Sequence, residues 1–173
     1  MFWKDPSVLY ISTHQDGSFP GTGKVESLGA NAGEGFTVNV PLPASSGDAA
    51  LTRAFEEIVL PSLKRFQPDL LIVSAGYDSH WRDPLAGMNA LTRTYHALCS
   101  RLAGAADELC GGRIVFLLEG GYDLKGLSDS VADSMRGLLS LPSLDGFDKG
   151  MLADEPRDKV EAAVAEARRI HGL

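Results

Sequence analysis

"PDLLIVSAGYDSHWRDPLAG", residues 68–87, decides the fold. Asp69 to Ala75 is a short, almost unbroken apolar run of the kind that forms a strand buried on both faces. The residues after it place Asp78, His80, Trp81, Arg82 and Asp83 within six positions. Charged groups leaving a buried strand are held at the rim of a core, which is where α/β proteins keep their chemistry. Asp78 and His80 also form an Asp-x-His pair, whose carboxylate and imidazole both suit a metal such as zinc.

Upstream, "SVLYIST" (7–13) reads as a strand, and "FTVNVPL" (36–42) alternates, with Phe36, Val38, Val40 and Leu42 on one face. From Asp48 to Phe66, Leu51, Ala54, Phe55, Ile58, Val59 and Leu63 recur at helical spacing, and Pro61 predicts a kink. Downstream, Thr92 can cap a helix reaching Cys110, "RIVFLLEGG" (113–121) is a second buried strand, and residues 124–141 form another helix. Buried strands joined by helices imply an α/β fold with a parallel sheet covered on both faces. "LPSLDGFDKGMLADEP" (141–156) is rich in turn residues, and "RDKVEAAVAEARRIHG" (157–172) is a charged amphipathic helix, packed on the domain edge or forming a tail.

The chain has 173 residues, 16 basic and 23 acidic, for a net charge of −7. That balance argues against direct nucleic-acid binding, which needs clustered Lys and Arg against phosphates. Cys99 and Cys110, the only cysteines, read as buried reduced thiols. No apolar run reaches the ~20 residues of a membrane span, and no leader pattern opens the chain. The expectation is a soluble intracellular protein of cytoplasm or nucleus, with an organelle not excluded. "GTGK" (21–24) lacks the remaining Walker residues, with Ser18 and Val25 where Gly and Ser or Thr are needed.

Three chemically unusual segments follow three of the strands: "THQDGSFPGTG" (13–23), "GYDSHWRDPLAG" (76–87) and "EGGYDL" (119–124). In a parallel sheet with right-handed crossovers they share one edge. Together with "GFTVNVPLP" and "GRIVFLLEGGYDL", they resemble the second half of the zinc-dependent histone deacetylase family, in its class II and bacterial style, over residues 2–141. The resemblance implies the second half of an arginase/deacetylase-like three-layer fold over 1–141, followed by the turn-rich segment and helix of 142–173.

It also implies zinc-assisted hydrolysis of acetyl amides, most often acetyl-lysine of histones or other proteins. Asp78 matches one of three zinc ligands, and His80 matches none, because the family's ligating His comes from an upstream Asp-x-His. Tyr122 matches the catalytic tyrosine that donates to the developing oxyanion. Gly120 and Gly121 would let the backbone approach a ligand closely. Phe19 matches a tunnel-wall aromatic and Leu85 a residue at the tunnel mouth, although both also read as ordinary packing residues. Ser12 and Thr13 match a segment ligating a structural monovalent cation, K+, and Ser12 also reads as a plain strand-end hydroxyl. His14 reads as a hydrogen-bonded structural histidine, His96 and His171 carry no role, and Asp83 at most orients its loop or Arg82.

The family's tandem histidines and its Asp-x-His are missing, so Met1 reads as an internal methionine and the chain as a fragment that is inactive alone. Two alternatives stand beside the deacetylase reading. One is a non-catalytic remnant used for binding or assembly, and the other a parent enzyme acting on acetylpolyamines or other small acetyl amides. Half a parallel sheet also predicts self-association through an exposed sheet edge.

Overall fold

The computed structural model describes residues 1–144, 148 and 154–173. Strand β1 (Tyr10–Gln15) runs parallel to β2 (Thr37–Leu42), with Tyr10 opposite Thr37 and Gln15 opposite Leu42. β1 starts later than the apolar pattern suggests, because Asp5 draws the amide and hydroxyl of Ser7 into a local turn. Alternation along β2 would leave Thr37 and Asn39 wet, yet both are buried with Val38, Val40 and Leu42. Asn39 tolerates this because its side-chain amide donates to the Ser27 carbonyl at 3.1 Å.

Helix α1 (Asp48–Ala54) continues through a π-helical turn (Phe55–Val59) into α2 (Leu60–Phe66). The wider turn lies immediately before Pro61, which has no N–H to offer a carbonyl one turn back. Strand β3 (Leu71–Gly76) leads to helix α3 (Thr92–Cys110), and β4 (Ile114–Gly120) to helix α4 (Leu124–Leu138). Thr92 is the first residue of α3, not its cap. The Leu91 N–H donates to Thr94 Oγ1 at 3.0 Å and Asp48 Oδ1 at 3.1 Å, and the Thr92 N–H donates to Asp148 at 2.5 Å. Cys99 and Cys110 are buried free thiols.

Helix α5 (Arg157–His171) is packed on the domain and is not a free tail. Its Val160, Val164 and Ala167 join Val38, Val40, Leu42 and Ile58 in the main core, so its apolar stripe closes over β2. Glu155, just before it, accepts the Ala49 and Ala50 amides at 3.0 and 2.9 Å and satisfies the start of α1. Most of the turn-rich stretch expected over 141–156 lies outside the described residues.

β3 and β4 pair in parallel, and among the described residues they form a two-stranded ladder separate from β1–β2. Cover on both faces, expected from their apolar runs, is absent among the described residues. Ile72 is 63% exposed and Leu117 56% exposed, because no described element packs on that side. No helix among the described residues is long and apolar enough to cross a membrane.

Candidate functional site at the ends of β3 and β4

Gly76 pairs with Gly120 at the ends of these strands, and the Tyr77 N–H donates to the Gly120 carbonyl at 2.9 Å. Asp78 and Tyr122 stand two residues beyond the paired glycines, so the ladder brings the two segments that carry them to the same strand ends. The tight fit uses Gly120: a Cβ there would lie 3.0 Å from Asp78 Oδ2. Gly121, at φ +126°, takes a conformation that favours glycine, and its own crowding comes from Tyr77 and Leu127.

Tyr77 anchors the Asp78 segment. Its buried ring packs on Tyr95 of α3 at 5.0 Å, its hydroxyl donates to Ser134 of α4 at 3.2 Å, and its carbonyl accepts the Tyr95 hydroxyl at 3.2 Å. Burial pushes the Asp78 carboxyl above its ordinary range. Its own amide and that of Ser79 oppose the shift, while nearby Asp83 and Glu119 add to it. A half-buried carboxylate in acidic company suits a cation.

The loop after β3 is tied to both neighbouring segments. Gly87 N–H donates to Gln15 Oε1 at 2.8 Å, reaching the end of β1. Asp83 Oδ2 accepts the Tyr122 N–H at 2.7 Å, and Arg82 donates to Asp123 at 3.2 Å. Asp123 in turn caps α4 through the Gly126 N–H at 2.7 Å. The three segments thus meet at one edge.

His80, 1% exposed, is committed elsewhere. Its Nδ1 accepts the Arg82 N–H at 3.2 Å, while Nε2 faces Thr92 Oγ1 and Asp148 Oδ1, each at 3.3 Å. Burial lowers its pKa, against the pull of Asp148. Asp148 is held below the usual carboxylate range: burial pushes it up, but hydrogen bonds from Trp81 and Thr92, with His80 nearby, outweigh that. This bracing of the loop by Asp148, 65 to 70 positions downstream, left no local signal in the sequence; Asp83 next to Pro84 and Asp123 before a helix did.

Ser12 and Thr13 lie within β1. His14 Nε2 sits 3.0 Å from the Gly23 carbonyl, an acceptor only, so Nε2 carries the proton and Nδ1 is left to accept the Ser12 hydroxyl at 2.9 Å. The Ser12 oxygen then keeps lone pairs for a cation. Phe19 is 100% exposed on the loop after β1, and Leu85 and Tyr122 are also exposed.

Among the described residues, no three His, Cys, Asp or Glu side chains gather into a metal cage. The half-buried Asp78 carboxylate is chemically of the kind that zinc accepts as a ligand.

The histone deacetylase domain model matches residues 1–138, so the chain belongs to that family. It is 52% identical to histone deacetylase 14, chloroplastic, of Arabidopsis thaliana over 99% of this chain and 41% of that protein. It is 50% identical to histone deacetylase 10, chloroplastic, of Oryza sativa subsp. japonica over 99% of this chain and 39% of that protein. Among solved structures, the HDA15 HD domain superposes with a TM-score of 0.81 at 34% identity, covering 98% of this chain and 45% of that one. The histone deacetylase Clr3 gives 0.84 at 31%, covering 98% and 28%. The fold is that of the arginase/deacetylase type, and the chain spans about two-fifths of the length of these plant relatives.

Proposed function

We propose that this chain supplies the carboxylate and tyrosine of a zinc-dependent hydrolase of acetyl amides, with acetyl-lysine in proteins as the first candidate substrate and small acetyl amides as the second. The observation that carries the reading is the register of Gly76 with Gly120, which puts Asp78 and Tyr122 two residues beyond paired strand ends. Asp78 would hold zinc, together with ligands from outside this chain. Bound zinc supplies Lewis acidity toward the acetyl carbonyl. Tyr122 donates its phenolic proton to the carbonyl oxygen as negative charge develops there, an interaction strongest in the transition state. Ser12 and Thr13 would hold K+, with the Ser12 hydroxyl oriented by His14. Phe19 and Leu85 present apolar surface to the methylene chain of an acyl-lysine.

The test compares two variants in the complete catalytic protein on an acetyl-lysine peptide. Tyr122→Phe is expected to lower kcat by about 10²–10³-fold with zinc content unchanged. Asp78→Asn is expected to lose zinc. Near-normal turnover of Tyr122→Phe would refute the oxyanion role. The chain purified alone is expected to bind zinc weakly and deacetylate nothing; tight stoichiometric zinc binding would refute the single-ligand assignment and return His80 to consideration.

A further inference from the structure

Tyr122 poses a mechanical problem. Its side chain is mostly exposed, so packing does not hold it, and it follows Gly120 and Gly121, the two residues least able to fix a backbone. A donor that must meet an oxyanion needs a fixed position, because a displacement of ~1 Å can cost about 10²-fold in rate. Something other than its own side chain has to set it.

We propose that Asp83 is the positioning residue for Tyr122, fixing the tyrosine's backbone amide and through it the place of the phenol. The inference rests on the oxyanion role argued above. Asp83 is 8% exposed, and a buried carboxylate persists only where it is well bonded. Its partners are backbone amides: Oδ2 accepts the Tyr122 N–H at 2.7 Å and Oδ1 the Leu85 N–H at 2.9 Å. The adjacent Arg82 reaches past it to Asp123. Arg82 and Asp83 therefore grip the dipeptide Tyr122–Asp123 at two consecutive points, one on the main chain and one on the side chain that caps α4. Charge-assisted bonds of this kind are about twice as strong as neutral ones. If Asp83 served only to shape the loop at Pro84, the Leu85 bond would suffice.

Asp83→Asn separates the two roles, because the amide keeps one accepting oxygen for Leu85 and turns an NH2 group toward Tyr122. In the chain as it stands, amide exchange at Tyr122 is expected to rise at least ~10-fold while α3 keeps its protection. In the complete catalytic protein, Asp83→Asn should lower kcat by about 10²-fold with KM and zinc content near wild type. The double variant Asp83→Asn/Tyr122→Phe should then turn over no more slowly than Tyr122→Phe alone, since Asp83 acts through the phenol. Multiplicative losses, unchanged Tyr122 exchange or loss of zinc would each overturn the proposal. If Tyr122→Phe by itself kept full turnover, the oxyanion reading would fall, and the exchange measurement would still decide whether Asp83 holds the amide. Should Asp83→Asn not fold, Asp83→Glu keeps the charge, moves the carboxylate by one methylene, and is read the same way.

Discussion

The two strand pairs differ in their surroundings more than their apolar residues suggest. In β2, Val38, Val40 and Leu42 have no exposed surface, while in β4 Val115, Leu117 and Leu118 are all exposed. Apolar strands ask for cover, but their sequence does not say whether that cover lies in the same chain. Over β2 it does, because α5 returns from the far end of the chain to pack there. Over the outer face of β3–β4 no described element does, and this is the pair that carries Asp78 and Tyr122. The proposed site therefore stands on the less insulated half, in a chain that spans about two-fifths of its plant relatives.

The contrast can be broken by truncating one leucine in each pair. Leu42→Ala, in the closed half, is expected to cost about 2–5 kcal/mol of stability. Leu117→Ala, on the open face, should stay within about 0.5 kcal/mol where the chain is dilute enough to be monomeric. Denaturant midpoints followed by circular dichroism decide it. Equal losses would mean that the open face is covered in solution.

If it is covered by a second copy, the same face should control association. At micromolar concentration the chain is expected to self-associate, and Ile72→Lys with Leu117→Lys should return it to a monomer in sedimentation, because lysine on an apolar sheet surface blocks such pairing. Hydrogen exchange should show β1–β2 protected throughout. A wild-type chain that sediments as a monomer would sink this expectation.

What the sequence revealed follows the same division. Periodicity marks what one segment does with its own residues, so α3 was legible from Thr92 to Cys110, and β2 nearly to its ends. Asp78 and Tyr122 stood out for a different reason, since their segments resemble those of a known family. Contacts between distant segments were not legible. Nothing near Val160 or Val164 says that they belong beneath β2, and nothing near His80 announces Asp148. Leu117 and Val40 are equally apolar, yet only neighbours remote in sequence make one buried and the other exposed. Pro61 was legible as a disturbance, but the chain absorbs it in a π turn.

The closed half should also respond to acid through α5. His171 is buried, and burial, with Arg65 adjacent, holds its imidazole below the ordinary value of 6.5. The unfolded chain then binds that proton more readily than the folded one, so stability is fully present above about pH 6.5 and falls as the pH drops below it. Denaturant midpoints at about pH 8 and about pH 5 should therefore differ less in His171→Gln than in the wild type. An unchanged difference would remove His171 from the acid response.

The smallest expected effect lies beside it. Ser62 of α2 is buried, and among the described residues its hydroxyl finds no hydrogen-bond partner. Such a group has given up its hydration without replacement, a cost on the order of 1 kcal/mol or more. Ser62→Ala removes the hydroxyl, leaves the helix with its best former and opens only a void smaller than a methyl group. The variant is therefore expected to be as stable as wild type or more so, by up to about 1 kcal/mol, with its denaturation slope unchanged. A clear loss of stability would mean that the hydroxyl is satisfied in solution, by water or by a neighbour. The closed half would then be less dry around α2 and α5 than its packing indicates, and the contrast with β3–β4 correspondingly smaller.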